Sequence, residues 1–244
     1  MRFNTVLEKL RQGQPSAGAI ATLGSPLCAE ILALAGVDHV IVDDQHGIWE
    51  PESMMAAFRS IRAAGAVPMA RVGKNDFYAI GAALDRGALG IVVPMVHTPE
   101  EARAAAYAAR TPPRGGRSMG AYGCQMYGSD YLEWANDEIF LTVQIESKEG
   151  LDNVEKIMAV DGIDGCWVGP GDLAASIGAP MGSGEHDAAM RRIHQACLDA
   201  GKVPGTFCVR DAAHRLKQGY LFVTVAADST QLEWAVRELL DDLS

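Results

Sequence analysis

Apolar segments alternate with amphipathic segments eight times along this chain of 244 residues. The apolar segments are continuous, which is typical of strands buried on both faces of a parallel sheet. We predict strands at residues 17–23, 38–42, 67–72, 88–96, 139–145, 163–168, 203–208 and 220–226. We predict helices at 26–35, 51–64, 76–86, 99–109, between the fifth and sixth strands, and at 172–177, 188–200, 211–218 and 230–240. Eight βα units predict an α/β fold, a single (β/α)8 TIM barrel over residues 1–244.

A doubly wound open sheet is the alternative fold. No GxGxxG follows the first strand, and the chain contains no P-loop, so the two usual nucleotide-binding signals of that fold are missing. The barrel is therefore favoured.

Two segments interrupt the alternation. Residues 110–138 form a long insertion after the fourth helix, with aromatic side chains at Tyr122, Tyr127, Tyr131 and Trp134. An insertion of this length is expected to cover the site or to meet a neighbouring subunit. Residues 178–187 are rich in Gly, Pro and Ser and predict an exposed loop.

Composition excludes several classes of partner. The net charge is −10 without a basic cluster, so neither nucleic acid nor an anionic membrane is an expected partner. No apolar run approaches the ~20 residues that span a bilayer, and the polar N-terminus does not resemble a signal peptide. Five cysteines without CxxC spacing predict reduced thiols in a cytoplasmic protein.

Two predicted neighbouring strands are each followed by a carboxylate. Glu146 comes directly after the fifth strand, and Asp172 follows the sixth strand after Gly169-Pro170-Gly171. Parallel strands place both carboxylates at one edge of the sheet, where a divalent cation with oxygen ligands would relieve their repulsion. The open backbone before Asp172 begins a helix, whose free N–H groups can bind an anion. A cation beside an anion pocket suits a 2-oxo acid.

Other polar residues follow the remaining strands. Asp43 and His46 follow the second strand, Arg71 ends the third, and Gln144 ends the fifth. Since active groups of a barrel gather at the C-terminal ends of its strands, these residues are candidates for the same site. His97 is expected to start a helix, and His39, His186, His194 and His214 are expected to be structural or solvated.

An ordered set of short motifs carries a family resemblance. The motifs are Asp43-x-x-His46-Gly47, Ala70-Arg71-Val72, Pro94-Met95-Val96, Gln144-Ile145-Glu146 and Val168-Gly169-Pro170-Gly171-Asp172-Leu173. In this order they resemble the HpcH/HpaI aldolase family, from the first strand to the eighth. One position departs from the family pattern: Gln45 stands where the family usually has Glu.

The resemblance implies a function. It is that of a metal-dependent class II aldolase, which cleaves 4-hydroxy-2-oxo acids reversibly to pyruvate, or hydroxypyruvate, and an aldehyde. The resemblance also implies oxaloacetate decarboxylation as a side activity. It implies that Glu146 and Asp172 bind Mg²⁺, Mn²⁺ or Co²⁺. It also implies that Arg71, Gln144 and the backbone of Gly171 and Asp172 contact the 2-oxo acid.

The resemblance further implies an acid/base role for His46, assisted by Asp43 and by Asp85, the latter across a subunit boundary. A homohexamer is implied, with the C-terminal helix packed on a neighbouring subunit. The chemistry agrees, because a cation and Arg71 would stabilise the enolate charge, and an imidazole titrates in the range needed to accept the C4 hydroxyl proton.

Three rival functions remain open from the sequence. A Schiff-base aldolase on the same barrel would need a desolvated lysine, for which Lys74 and Lys148 are the candidates. A CoA-ester lyase of the citrate-lyase beta type would need a basic patch for its nucleotide, and the sequence has none that is evident. A non-catalytic barrel that binds 2-oxo acids is suggested only by Gln45.

Overall fold

Eight parallel strands close into one barrel in sequential order. The structure is a computed structural model that describes residues 4–120 and 123–243, so Tyr122 lies outside the described residues. The strands are β1 Ser16–Ala21, β2 His39–Asp43, β3 Val67–Arg71, β4 Gly90–Val93, β5 Phe140–Val143, β6 Gly165–Val168, β7 Val203–Phe207 and β8 Phe222–Ala227. The (β/α)8 barrel is confirmed. Seven of the eight observed strands are shorter than predicted, because the apolar runs continue into buried loops, and β2 keeps the predicted length with a shift of one residue.

The helices surround the barrel. They are α1 Thr5–Arg11, α2 Pro26–Leu34, α3 Pro51–Ala63, α4 Phe77–Arg86, α5 Pro99–Ala109, α6 Tyr131–Glu138, α7 Lys148–Asp152, α8 Val154–Met158, α9 Pro170–Ile177, α10 Gly184–Asp199, α11 Ala212–Lys217 and α12 Asp228–Asp241. The predicted helix between β5 and β6 is divided in two at Asn153.

Helices α9, α10 and α12 begin earlier than predicted, the first two for identifiable local reasons. α9 starts at Pro170 because the fixed φ of proline suits the first position of a helix, where its missing N–H costs nothing. α10 starts at Gly184, inside the predicted loop 178–187, because the Ser183 side chain accepts a hydrogen bond from the backbone N–H of His186.

The N-terminal end of the barrel is closed by α1, which the sequence analysis did not predict. Val6, Leu7 and Leu10 of this helix are buried in the core. The Asn4 side chain donates to the carbonyls of Leu89 and Glu138, which precede β4 and β5. One end of the barrel is therefore sealed, and the opposite end remains for the site.

The described part of the insertion packs beneath α4. The Tyr127 hydroxyl donates to the Gly87 carbonyl at 2.6 Å, and the Cys124 thiol lies 3.0 Å from the Leu84 carbonyl. α4 ends where the chain turns into the start of β4, so these contacts lie toward the sealed end of the barrel. These contacts of the described residues lie away from the open end of the barrel, and packing of the insertion against a neighbouring subunit stays a prediction.

Apolar side chains remain exposed on two neighbouring helices, α2 and α12. The most exposed are Leu27, Ile31, Leu34, Leu232, Val236, Leu239 and Leu240, each between 56% and 67% accessible. Helical spacing gathers them into one stripe on each helix. Among the described residues, no helix is long and apolar enough to cross a membrane, and all five cysteines are free thiols, of which four are buried.

Candidate active site

A cavity of about 750 Å³ opens at the C-terminal end of the barrel. All the predicted site residues except Asp85 and Glu146 line it, namely Asp43, His46, Arg71, Gln144, Gly171 and Asp172. The closed parallel barrel brings these residues together, because every strand points its C-terminal end to the same rim.

Arg71 and Asp43 form a buried ion pair on adjacent strands. The register of β2 and β3 places the two residues opposite each other. Arg71 Nε lies 2.7 Å from Asp43 Oδ1, and Arg71 Nη2 lies 2.6 Å from Oδ2. The guanidinium also lies over the Trp167 ring, with its carbon 5.4 Å from the ring centroid. This leaves Nη1 without a hydrogen-bond partner among the described residues, so it can donate to a ligand in the cavity.

Glu146 lies just behind the cavity wall and is only 3% exposed. One carboxylate oxygen accepts a hydrogen bond from the Met95 backbone N–H at 3.1 Å, and the other accepts from the Gln144 side-chain amide. Met95 has φ of 54°, the one left-handed non-glycine residue in the described chain. Such backbone strain persists only where the surroundings enforce it, and here it directs an N–H at Glu146.

The surroundings of Glu146 favour its neutral form in the absence of a cation. Burial, and secondarily the nearby Asp172 carboxylate, raise the pKa of Glu146 to about 7, although the Met95 N–H acts in the opposite direction. A cation between the two carboxylates would lower the pKa of Glu146 again, because its positive charge would offset both the burial of the carboxylate and the repulsion by Asp172.

The donor set fits a hard divalent cation. The described residues contain no cluster of three or more His, Cys, Asp or Glu side chains able to hold a metal ion. Glu146 and Asp172 would therefore supply two carboxylate ligands, and water and substrate oxygens the rest. Mg²⁺ is commonly bound in this way, through one or two carboxylates with retained waters. Zn²⁺, which prefers three or four N or S ligands, fits less well.

The turn between β6 and α9 needs glycine for a steric reason. A Cβ added at Gly169 would lie 2.5 Å from Glu146 Oε2 and 2.9 Å from Gln144 Nε2. The N–H groups of Gly171 and Asp172, in the first turn of α9, have no backbone acceptor among the described residues. They point out of a helix N-terminus, where an anionic group is favoured.

His46 and Gln45 have different surroundings. His46 lines the cavity and is exposed, and no described residue makes a hydrogen bond to its imidazole. The Gln45 side-chain oxygen is buried and has no hydrogen-bond donor among the described residues. Gln45 does not line the cavity, so any effect on a cation would be indirect. The Gln144 side-chain oxygen is likewise buried and unpaired, but it belongs to a residue of the cavity wall.

Asp85 lies away from the cavity of its own chain. It is the penultimate residue of α4, toward the sealed end of the barrel, and its side chain is 40% exposed. Arg117 of the insertion holds it, with Nη2 at 2.7 Å and Nε at 3.0 Å from Oδ1. Any role for Asp85 in catalysis therefore requires the cavity of another subunit.

The two candidate Schiff-base lysines do not meet the needs of that chemistry. Lys74 is 76% exposed beside Asp76, and Lys148 is 66% exposed in an ion pair with Asp152. No lysine among the described residues lines the cavity. A Schiff-base lysine must be desolvated to be nucleophilic, so this geometry disfavours that rival.

Sequence reasoning missed three residues of the site. In the sequence, Met95 stands out only as part of a motif and Trp167 only as a strand residue, and nothing marks Arg210. Because side chains alternate along a strand, Trp167 and Gly165 lie on the same face of β6. The sequence does not show that this face points into the barrel, because a strand that is buried on both faces has no alternation of polar and apolar residues. Arg210 reaches the cavity rim from the loop after β7, and no local pattern marks that position.

Comparison with known proteins agrees with this geometry. The profile of the HpcH/HpaI aldolase/citrate lyase family matches residues 20–235. The chain is 39% identical to a hydroxypyruvate/pyruvate aldolase of Deinococcus radiodurans, over 97% of this chain and 88% of that protein. It is 35% identical to a 4-hydroxy-2-oxo-heptane-1,7-dioate aldolase of Shigella sonnei, over 97% of this chain and 93% of that protein.

A solved structure shares the architecture over almost the full length. It is an HpcH/HpaI aldolase/citrate lyase family protein from Burkholderia cenocepacia, with a TM-score of 0.91 and 34% identity. The match covers 98% of this chain and 99% of that one.

Proposed function

Because the chain belongs to the HpcH/HpaI aldolase/citrate lyase family, we propose that it cleaves 4-hydroxy-2-oxo acids to pyruvate or hydroxypyruvate and an aldehyde, at a divalent cation held by Glu146 and Asp172. The chain is an aldolase, a carbon–carbon lyase, as are its relatives at 39% and 35% identity. The substrate, the cation and the roles of individual residues are the proposal.

One observation carries this proposal: a buried carboxylate that makes no ion pair among the described residues lies near a second carboxylate, an arginine and two helix N–H groups without backbone acceptors. Glu146 and Asp172 offer oxygen ligands, and Arg71 offers an unpaired Nη1. A 2-oxo acid matches this set, since it has a carboxylate for the N–H groups of Gly171 and Asp172 and a carbonyl oxygen for Arg71.

The residues of the chain divide the work of bond cleavage. The His46 imidazole accepts the proton of the C4 hydroxyl, the C3–C4 bond breaks, and the aldehyde forms. The electron pair of that bond moves into the fragment that becomes pyruvate, and Arg71 donates to the developing negative oxygen at C2. Protonation at C3 completes the reaction. A divalent cation, when bound, supplies Lewis-acid polarisation of the C2 carbonyl, and Mg²⁺, Mn²⁺ or Co²⁺ fits the donor set.

A positive charge at the far rim of the cavity indicates which aldehydes the site would accept. Arg210 is exposed there, and its guanidinium carbon lies 4.2 Å from the Trp234 ring centroid. Arg215 is paired with Asp211 at 2.7 Å, whereas Arg210 has no carboxylate partner among the described residues. A local positive charge in a chain of net charge −10 favours an aldehyde with a distal anionic group. The dioate named for the Shigella sonnei relative has such a group.

Assembly is the remaining part of the proposal. The exposed apolar stripes of α2 and α12 suit packing against neighbouring subunits, in line with the homohexamer that the family resemblance implies. In such an assembly Asp85 of one subunit would serve the cavity of the next. Analytical ultracentrifugation measures the assembly directly, and a Leu239→Glu variant should dissociate it.

Turnover assays test the function. Pyruvate release from 4-hydroxy-2-oxo acids is followed with lactate dehydrogenase, before and after metal removal with EDTA. We expect no turnover after chelation and recovery with Mn²⁺, Co²⁺ or Mg²⁺. Full activity after exhaustive chelation contradicts the cation site. Binding of pyruvate without turnover of any substrate would favour a non-catalytic barrel.

A further inference from the structure

His186 is a buried histidine that joins two loops at the mouth of the cavity. It lies in the first turn of α10 and is 1% exposed. Its Nε2 lies 3.0 Å from the Pro170 carbonyl oxygen, at the start of α9. Its Nδ1 accepts a hydrogen bond from the Gly182 backbone N–H at 3.2 Å. One imidazole therefore connects the turn before Asp172 with the loop between α9 and α10.

These two bonds specify a single neutral tautomer. A carbonyl oxygen can only accept, so Nε2 must carry the proton that is shared with Pro170. A backbone N–H can only donate, so Nδ1 must be unprotonated. Both ring nitrogens are satisfied, as burial requires of a polar side chain.

The Asp172 carboxylate is placed by its backbone. No described residue makes a hydrogen bond to the Asp172 carboxylate, and its residue is exposed. Its place relative to Glu146 is therefore set by the backbone of the turn that precedes it. Glu146 and Gln144 pack closely on Gly169 at one side of that turn. The Pro170 carbonyl, at the other side, is held by His186.

We propose that His186 is a positioning residue that fixes the Gly169–Asp172 turn against Glu146, so that the two carboxylates are presented to a cation at one distance. Its ring borders the cavity, and the role assigned to it here is carried by its two hydrogen bonds to the backbone. The same ring restrains Gly182, which lines the cavity next to Met181. This inference rests on the proposed function, since the cation is the group for which the two carboxylates are positioned.

Three substitutions separate the two hydrogen bonds. In His186→Gln, the side-chain NH2 group reaches the former position of Nε2 and can still donate to the Pro170 carbonyl. In His186→Asn, the shorter side chain brings its oxygen to the former position of Nδ1, so that it keeps only the hydrogen bond from the Gly182 N–H. Leu removes both bonds. His194→Leu is the matched control, because His194 lies on the same helix and outside the cavity, where its ring packs on Tyr220.

The first measurement is Mn²⁺ binding to the metal-free protein, from the electron paramagnetic resonance signal of free Mn²⁺. We expect affinity to fall by ~10–100-fold in His186→Leu, as is typical when the support of a metal ligand is removed. His186→Asn should lose more affinity than His186→Gln, and His194→Leu should bind as the wild type does. Equal affinities in the Asn and Gln variants, or wild-type affinity in the Leu variant, overturn the proposal.

The second measurement needs no metal. Hydrogen–deuterium exchange in the metal-free protein should be faster at residues 169–174 and 178–183 in His186→Leu, and unchanged there in His194→Leu. If His186→Leu does not fold, the Asn and Gln variants decide through the same two measurements. If the wild type neither binds Mn²⁺ nor turns over substrate, the proposed function fails, while the exchange result still tests the connection through His186. Unchanged exchange in these segments overturns it.

Discussion

Arg71 and Asp43 meet at the C-terminal ends of two adjacent strands through two parallel hydrogen bonds, of 2.7 Å and 2.6 Å, in a setting where Asp43 is fully buried. The pair fixes the plane of the guanidinium and leaves Nη1 without a hydrogen-bond partner among the described residues, in a side chain that lines the cavity. Asp43 also accepts from the Gln45 backbone N–H at 3.1 Å. Its oxygens are thus committed to Arg71 and to the β2 turn, which favours an orienting role for Asp43 over direct proton transfer.

Replacement of Arg71 by Lys should lower kcat by about 100-fold or more, although the charge is retained. An ammonium cannot make two bonds in one plane to Asp43 and still direct a third donor at the substrate, and loss of one such donor typically costs ~10²–10³ in kcat. Steady-state kinetics with a 4-hydroxy-2-oxo acid measures the effect. A Lys variant with near-normal kcat would remove Arg71 from the reacting oxygen.

Gly169→Ala should weaken cation binding by ~10–100-fold, because the new methyl group would displace the Glu146 carboxylate. Gly184→Ala is the control, since a Cβ at Gly184 meets no atom within 4 Å. Metal titration of activity and of thermal stability compares the two variants. If Gly169→Ala behaves like Gly184→Ala in both titrations, Glu146 does not hold the cation.

His46→Ala should reduce aldol cleavage by ~10²–10⁴-fold but should reduce oxaloacetate decarboxylation much less. Both reactions would leave charge on the same C2 oxygen, but only aldol cleavage requires removal of the C4 hydroxyl proton. Parallel assays of the two reactions on one preparation give the ratio. Equal losses would assign His46 to positioning.

Arg210→Gln should lower kcat/KM for succinic semialdehyde by about 10-fold while leaving butanal almost unchanged, because only the former carries a charge at the far rim. Arg237→Gln is the control, since Arg237 lies on α12 in an ion pair with Glu233, outside the cavity. The two aldehydes are compared in the synthetic direction with pyruvate. The same fall for both aldehydes would contradict recognition of the anionic group by Arg210.

His39 should make the fold acid-sensitive. Burial lowers the pKa of His39 from its usual 6.5 to about 3, although nearby Asp38 acts in the opposite direction. As the pH falls below 6.5, His39 therefore becomes protonated in the unfolded chain, whereas in the folded chain it stays neutral until about pH 3. The free energy of unfolding consequently decreases as the pH falls from 6.5 to 3, by at most about 5 kcal/mol.

Urea unfolding between pH 7 and pH 4 measures this effect. His39→Asn should be less stable at pH 7, because it loses the ring stacked on Phe222 at 4.4 Å. Its free energy of unfolding should nevertheless decline less steeply with acid than that of the wild type. His214→Asn, at an exposed position, should keep the wild-type slope. Parallel slopes for the wild type and His39→Asn would show that His39 titrates normally.

Local signals in the sequence were sufficient for the barrel. Continuous apolar strands, helix-ending glycines such as Gly87 after α4, and capping residues such as Thr98 before α5 act over a few residues, and eight repetitions leave few topologies. The rule that active groups gather at the C-terminal strand ends then identified Asp43, His46, Arg71, Gln144 and Asp172 as neighbours. Helix boundaries were less accurate, because a single cap such as Ser183 moves a start by a turn.

The sequence by itself thus determined the eightfold βα order, the family, and which end of the barrel carries the polar groups, since each follows from short-range patterns. Only the tertiary structure decided that Asp43 pairs with Arg71, that Asp85 faces away from its own cavity, and that His186 connects the Asp172 turn with the neighbouring loop. These contacts join residues far apart in the chain, and they depend on the closure of the barrel and on the angle of each loop. No local pattern encodes either, because both arise from how the whole core packs.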